Sequence, residues 1–133
     1  MTVRNLFLFN VAISLVYAVA FLFVPQQTAS VYGVDLTPGG ALIARLYGGT
    51  LVTFVIILWA MRNAGPTPER QALLLALFAG DAIGTVVSLL AVLNGAINAL
   101  GWATVVLFLL LTVAYGYLRF AGEPGTARPQ MAR

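Results

Sequence analysis

The chain of 133 residues contains no cysteine, no histidine and no lysine, and charged residues make up only 8% of it. A chain without cysteine forms no disulfides and has no catalytic thiol. A chain without histidine cannot bind haem iron through an imidazole, and the usual zinc ligands, cysteine and histidine, are both absent. An ordinary soluble domain carries about 25% charged residues, so these few charges cannot cover a surface that faces water. The composition therefore excludes a soluble globular enzyme and a disordered chain.

The small positive charge does not indicate a nucleic-acid-binding protein. The net charge of +3 comes from seven arginines, and these are spread along the chain. A protein that binds nucleic acid gathers its basic residues on one face or along one helix. The sequence shows no such patch, so we exclude this class as well.

Hydrophobic residues are abundant instead, at 61% of the chain, and they are concentrated in long runs. The runs cover about residues 6–24, 41–61, 70–93 and 99–120. Each has about the ~20 residues that an α-helix needs to cross ~30 Å of hydrocarbon. The runs are continuously apolar, whereas the strands of a membrane barrel alternate with polar residues, so we predict helices.

The predicted fold is therefore all-α: a polytopic membrane protein with an antiparallel bundle of four transmembrane helices. The helical domain covers residues 1–121, and residues 122–133 are expected to form a disordered cytoplasmic tail. Thr67 is a candidate N-cap with Pro68 at the first helical position. Asn94-Gly95 predicts a tight turn, which makes the third and fourth spans antiparallel neighbours. The loop 26–39 is compatible with a short interfacial helix that ends at Tyr32-Gly33.

The placement of arginine predicts the orientation of the bundle. With four crossings, most arginines lie on one side of the membrane: Arg4, Arg62, Arg70, Arg119, Arg128 and Arg133. The opposite loops, 26–39 and 94–98, contain none. Because cytoplasmic loops carry the excess of positive charge, we expect both termini in the cytoplasm. An aromatic belt is expected as well, with Trp59, Tyr115 and Tyr117 at the inner interface and Trp102 at the outer one.

The start of the chain also resembles a signal peptide. Arg4 precedes an apolar run that contains Ala18-Val19-Ala20, which has the small-x-small form of a cleavage site. The apolar run nevertheless continues through residues 21–24, where a cleavage region becomes polar. We therefore expect the first helix to be retained.

Two charged residues lie well inside the predicted spans, Arg45 and Asp81. A charge near the centre of a membrane helix costs at least ~2.5–3.5 kcal/mol on insertion scales, so such residues are functional candidates by default. Arg45 lies near the outer end of the second span, from which its side chain can extend to the interface. Alternatively it reaches inward to Asp81, because pairing would offset the cost of burying both charges.

Further polar residues share helix faces with these charges. Asn10, Ser14 and Tyr17 follow one another at helical spacing in the first span, and Thr85 and Ser88 follow Asp81 in the third. The predicted polar seam consists of Asn10, Ser14, Tyr17, Arg45, Asp81, Thr85 and Ser88. Three roles are open for it: hydrogen bonds that hold the helices together, a pocket for a ligand, or a path for an ion or proton. We predict no metal site and assign no catalytic residue.

Several loose motifs resemble those of a family of short bacterial membrane proteins with a domain of unknown function, similar to DoxX-like proteins in size and layout. The motifs are Pro25, Tyr32-Gly33, Ala44-Arg45, Gly48 and residues 98–102. The resemblance covers about residues 1–121. It implies a four-helix bundle in the bacterial inner membrane, and it implies no established activity.

Three functional hypotheses remain open. The first is a non-catalytic integral membrane protein, either an accessory or structural subunit of a membrane complex or a binder of an apolar ligand such as a lipid, quinone or pigment. The second is a small transporter or channel subunit that uses Asp81 as its coupling residue. The third is an enzyme acting on a lipid-soluble substrate, with Asp81 and Arg45 in a mid-membrane pocket. The expected partners are membrane lipids and either further copies of the chain or a larger complex.

Overall fold

The computed structural model describes residues 1–122 and shows an all-α protein, which confirms the predicted fold class. The helices are α1 (Val3–Phe23), α2 (Pro25–Val31), α3 (Pro38–Met61), α4 (Pro68–Leu93) and α5 (Gly101–Phe120). All but α2 are long and apolar enough to cross a membrane. The predicted disordered tail lies outside the described residues, apart from Gly122.

Threonine side chains begin three of the long helices. Thr2, Thr37 and Thr67 each accept a hydrogen bond from the backbone N–H three residues later, as N-cap residues do. Proline occupies the first turn of α3 and of α4. A backbone N–H in the first turn has no hydrogen-bond partner within the helix, so proline, which has no N–H, is tolerated there. The predicted N-cap at Thr67 is confirmed, and α4 therefore begins at Pro68 rather than at residue 70.

The helix α5 begins two residues later than the sequence predicts, at Gly101 rather than at residue 99. The side chain of Asn98 causes this difference, because its Oδ1 accepts the backbone N–H of Leu100 at 3.0 Å and forms a turn before the helix. A Cβ atom on Gly101 would lie 2.4 Å from the side chain of Ile97. Glycine is therefore required where the turn packs against the start of α5.

The loop between the first two spans contains the short helix that the sequence suggested. Pro25 occupies the first turn of α2, and the chain leaves this helix through Tyr32 and Gly33, whose φ is +75°. Asn98 fixes this end, since its Nδ2 donates to the carbonyl oxygen of Val31 at 2.9 Å and its backbone N–H donates to the carbonyl oxygen of Tyr32 at 2.9 Å. The end of α2 is thereby attached to the loop between α4 and α5.

The long helices pack as two close pairs, α1 with α3 and α4 with α5. In the first pair, a Cβ on Gly48 would lie 3.0 Å from the backbone nitrogen of Leu22, so the backbones come together where a side chain is missing. In the second pair, a Cβ on Gly84 would lie 2.9 Å from the ring of Phe108. The two pairs meet each other mainly through longer side chains, which leaves space between them.

The apolar core fills one end of this bundle, which we call the terminal end: α1 and α4 begin there, and α3 and α5 finish there. Its buried residues are Val3, Leu6, Phe7, Val11, Leu58, Leu74, Leu77, Leu111, Tyr115 and Leu118. Because these residues belong to the starts of two helices and the ends of the other two, the four helices are antiparallel in chain order. The space between the pairs lies beyond this core, toward α2.

Candidate functional site

A cavity of about 420 Å³ lies between the two helix pairs, beyond the apolar core. Its volume is within the ~300–1,000 Å³ of small-molecule sites in proteins. Most of the wall is apolar and comes from α1, α3, α5 and the α4–α5 loop: Ile13, Phe21, Leu51, Phe54, Ile97, Leu107, Phe108 and Leu111. Side chains with a polar group interrupt this wall, and their arrangement defines the site: Asn10, Ser14, Tyr17, Tyr32, Tyr47, Thr50, Asp81 and Thr104.

A buried hydrogen-bond network borders the cavity on the side of the terminal end. Asn10 donates from Nδ2 to the hydroxyl oxygen of Tyr115 at 2.8 Å, and Ser14 donates from Oγ to Oδ1 of Asn10 at 2.9 Å. The network joins α1 to α5, and the ring of Tyr115 also lies 6.3 Å from that of Phe7 between centroids. Asn10 and Ser14 were both predicted for the polar seam.

Tyr115 itself corrects the sequence analysis. The predicted aromatic belt placed it at the membrane interface, but its side chain is 0% exposed and belongs to the core. Position explains the error, because Tyr115 lies near the end of the last span, as belt residues do. The spacing from Leu111 to Tyr115 to Leu118 was the available signal, since residues four and three apart share one helix face.

Two tyrosine hydroxyls separate this cavity from a second one. The hydroxyl oxygens of Tyr17 and Tyr32 are 2.6 Å apart, and Thr104 donates from Oγ1 to the hydroxyl of Tyr32 at 3.4 Å. A neighbouring cavity of about 410 Å³ lies between α1, α2 and α5 and shares four lining residues with the first, namely these three and Leu107. Tyr17 was a predicted seam residue, whereas Tyr32 was noted only as the end of a helix.

Asp81 lies midway along α4, lines the cavity and is only 9% exposed. Its Oδ2 atom is the one buried side-chain oxygen in residues 1–122 that has no hydrogen-bond partner. Thr85 donates its hydroxyl at 2.8 Å to the backbone carbonyl of Asp81 and not to the carboxyl group. No arginine lines the cavity. Buried polar groups almost always have a partner in the protein, so this carboxyl group is the exceptional feature of the site.

Arg45 does not line the cavity with Asp81. Its side chain is exposed, and it forms no hydrogen bond or ion pair with any residue of the described chain. The residue lies at the edge of the buried stripe of α3 that holds Ala41 and Gly48, so its long side chain leads away from the bundle. The structure therefore contradicts the alternative in which Arg45 reaches inward to Asp81.

The cavity therefore brings together four of the seven predicted seam residues, Asn10, Ser14, Tyr17 and Asp81. Thr85 and Ser88 lie on the same helix as Asp81 but donate to carbonyl oxygens of that helix. Sequence analysis did not assign Tyr32, Tyr47, Thr50 or Thr104 to the site, because they belong to a helix end or to faces without a polar pattern.

The chemistry available at this site is limited. The described residues contain no cluster of acidic side chains that could hold a metal ion, and Asp81 is the one carboxyl group in the cavity wall. The enzyme hypothesis required a mid-membrane cavity, and a cavity is present. The same cavity serves equally for binding without chemistry.

No family model, curated protein or solved structure matches this chain. The resemblance to DoxX-like proteins therefore stays a prediction. The four long apolar helices are compatible with a membrane protein built as a helix bundle.

Proposed function

We propose that this protein binds one apolar or amphiphilic small molecule in the cavity between its two helix pairs. The cavity itself is the observation that supports this proposal. It has a volume of about 420 Å³ and a wall that is mostly apolar in area, with polar groups placed among the apolar side chains, and small-molecule sites have this composition. A lipid, quinone or pigment belongs to the class of ligand that such a wall accepts.

The packing at the terminal end favours binding over conduction. Phe7, Leu58 and Leu74 are each 0% exposed there, and this apolar core lies directly beyond the Asn10–Tyr115 hydrogen bond. An ion path needs polar groups or water along its whole length, because a charge in an apolar medium is costly. A single chain in this conformation offers a pocket that is closed at the terminal end, which supports a binder over a transporter or channel.

The proposed orientation follows the positive-inside rule. The described arginines other than Arg45 belong to the terminal end or to its connecting loop: Arg4, Arg62, Arg70 and Arg119. Since arginine is enriched on the cytoplasmic side, we place this end in the cytoplasm and the protein in a bacterial inner membrane. The cavity then lies in the outer half of the bilayer, with α2 above it.

The test is to identify what the purified protein carries. We would extract the protein from membranes into lipid nanodiscs, extract the bound small molecules with organic solvent and identify them by mass spectrometry. The expected result is one apolar or amphiphilic compound enriched to near equimolar amount over nanodiscs without the protein. No enrichment of any compound would contradict the proposal.

A matched pair of variants shows whether the compound occupies the cavity. Leu107 lines this cavity and also the neighbouring one, and Leu110, three residues further along α5, is 63% exposed on the outer surface. We expect Leu107→Trp to fill the cavity and reduce the amount of bound compound, and Leu110→Trp to leave it unchanged. Equal retention by both variants would place the compound on the lipid-facing surface instead.

A further inference from the structure

We infer that the ligand of this cavity is a lipophilic amine, with an apolar chain along the cavity wall and a protonated amino group at the Asp81 carboxyl group. The inference rests on the proposed function and adds the chemical class of the ligand. Four observations support it: the unpartnered carboxyl oxygen, the lack of a cation in the wall, the aromatic residues around the cavity, and its apolar extension toward α2.

The carboxyl group of Asp81 has acceptor capacity that the protein does not use. Its Oδ2 is buried without a hydrogen-bond partner in residues 1–122, although the residue is 91% buried. Ser14 donates to Asn10 and Thr85 donates to a backbone carbonyl, and the hydroxyl group of Tyr47, which also lines the cavity, forms no hydrogen bond with this oxygen. A ligand that donates a hydrogen bond at this point would satisfy the one buried oxygen that the fold leaves unpaired.

A positive charge on the ligand fits better than a neutral donor. None of the arginines in residues 1–122 lines the cavity, and Arg45, the other charged residue well inside the spans, is exposed. A buried carboxylate is stabilised by an opposite charge that it contacts directly, and such charge-assisted hydrogen bonds are about twice as strong as neutral ones. The ligand would bring the counter-charge that the chain does not supply.

The aromatic residues of the cavity suit the same head group. Tyr47, Phe54 and Phe108 line the cavity together with Asp81. The face of an aromatic ring attracts a cation within about 6 Å, and the attraction is larger where water is excluded. A neutral hydroxyl group gains much less from these rings.

The remaining wall is suited to an apolar chain. From the level of Asp81 the cavity continues past Phe21 and Leu107 to Tyr32 and Ile97, near the outer ends of the helices. The distance along α4 from Asp81 to its end at Leu93 is ~18 Å by helix rise. The cavity is therefore elongated along the helices, with its acidic group near mid-membrane and, beyond it, apolar side chains together with the hydroxyl groups of Tyr17, Tyr32 and Thr104.

The test compares two probes of equal chain length, decylamine and decanol. The purified protein in a mild detergent is titrated with each probe, and thermal unfolding reports binding because a ligand of the native state raises the midpoint. We expect a saturable increase with decylamine for the unsubstituted protein, and an apparent affinity at least tenfold weaker for Asp81→Asn. Asp35→Asn is the matched control, since Asp35 is exposed in the loop before α3, and it should bind decylamine as the unsubstituted protein does.

Two further measurements separate the causes of a negative result. Circular dichroism and gel filtration establish whether Asp81→Asn is folded. Decylamine binding is then measured for Leu107→Trp, which keeps the carboxyl group but fills the cavity, and we expect this variant to lose binding as well. The inference would be overturned if Asp81→Asn and the unsubstituted protein bound decylamine with equal affinity. It would also be overturned if decanol bound as tightly as decylamine, or if decylamine did not bind at all. If a compound without an amino group is found in the nanodisc experiment and Leu107→Trp removes it, the proposed function holds and the inference fails.

Discussion

The hydrogen bond from Asn10 to Tyr115 offers a direct test of how the two helix pairs are held together. It joins α1 to α5 at 2.8 Å between Nδ2 and the hydroxyl oxygen, and both residues are buried. Tyr115→Phe removes the hydroxyl group and keeps the ring that contacts Phe7. The amide nitrogen of Asn10 then loses its acceptor, while its Oδ1 keeps the hydrogen bond from Ser14.

The expected loss of stability can be bounded from the surroundings of Asn10. Hydrogen bonds between membrane helices contribute ~0.6 kcal/mol on average and ~1.7 kcal/mol at most. Leaving a buried donor without a partner costs about 1–3 kcal/mol, but Asn10 lines the cavity, so its amide group is not enclosed on every side. We therefore expect Tyr115→Phe to lower the free energy of unfolding by about 1 kcal/mol.

A double-mutant cycle measures this interaction. Tyr115→Phe, Asn10→Ala and the double variant are unfolded reversibly in mixed micelles, with helicity followed by circular dichroism. We expect a coupling free energy of about 0.6–1.7 kcal/mol. Tyr117→Phe is the control, because Tyr117 is 52% exposed and its hydroxyl group should contribute less than about 0.5 kcal/mol.

Two results would refute this reasoning. A coupling free energy near zero would mean that the Asn10 amide group and the Tyr115 hydroxyl group do not interact in the membrane. If Tyr115→Phe and Tyr117→Phe lowered the free energy of unfolding equally, Tyr115 would not be buried at the centre of the core. In either case the Asn10–Tyr115 hydrogen bond would not form the floor of the cavity, and the argument against a conduit would rest on the apolar core of Phe7, Leu58 and Leu74 alone.

Three further predictions concern single residues in the spans, each checked by reversible unfolding in micelles. Gly48→Ala should lower the free energy of unfolding by about 1–3 kcal/mol, because the new Cβ would lie 3.0 Å from the backbone of Leu22. The control is Gly49→Ala, whose Cβ meets no atom within 4 Å and which should be neutral or stabilising by up to ~1 kcal/mol. Equal effects of the two substitutions would contradict the close approach of α1 and α3. Arg45→Leu should change stability by less than about 0.5 kcal/mol, as for an exposed residue without partners, and a loss of ~3–5 kcal/mol would reveal a buried ion pair. Asp81→Leu should be neutral or stabilising, since it removes a buried carboxyl group that has no partner in the described chain, and strong destabilisation would show that a partner exists.

The sequence predicts the fold well because the bilayer sets simple requirements. A span must be about 20 apolar residues and must be helical, and the four runs satisfy both conditions. Local rules also work at the helix ends, where Thr67 and Pro68 start α4 as predicted. The four long helices start two or three residues away from the starts of the apolar runs, because caps and turns set these positions. The hydrogen bonds of residues such as Asn98 depend on their three-dimensional surroundings.

The candidate site is less predictable because it depends on which faces meet. Helical spacing identified Asn10, Ser14, Tyr17 and Asp81 as polar residues on common faces, and all four line the cavity. The same reasoning could not decide whether Arg45 turns inward, because one helical position at the edge of a buried stripe is compatible with both directions. Tyr32 comes to the cavity from the end of α2 through contacts with Asn98, which lies far from it in sequence.

The cavity follows from an unequal distribution of small residues among the helix faces. Gly48 and Gly84 lie at the contacts within the two pairs, where they allow close approach, whereas the faces between the pairs carry larger side chains such as Phe54, Phe108 and Leu111. Side chains of this size keep the pairs apart, and only the terminal end is filled. A carboxyl group in such a space costs at least ~2.5–3.5 kcal/mol on insertion scales. A leucine at position 81 would avoid that cost, so the stability of the fold does not account for the aspartate. A bound ligand that donates a hydrogen bond and carries a positive charge would account for it.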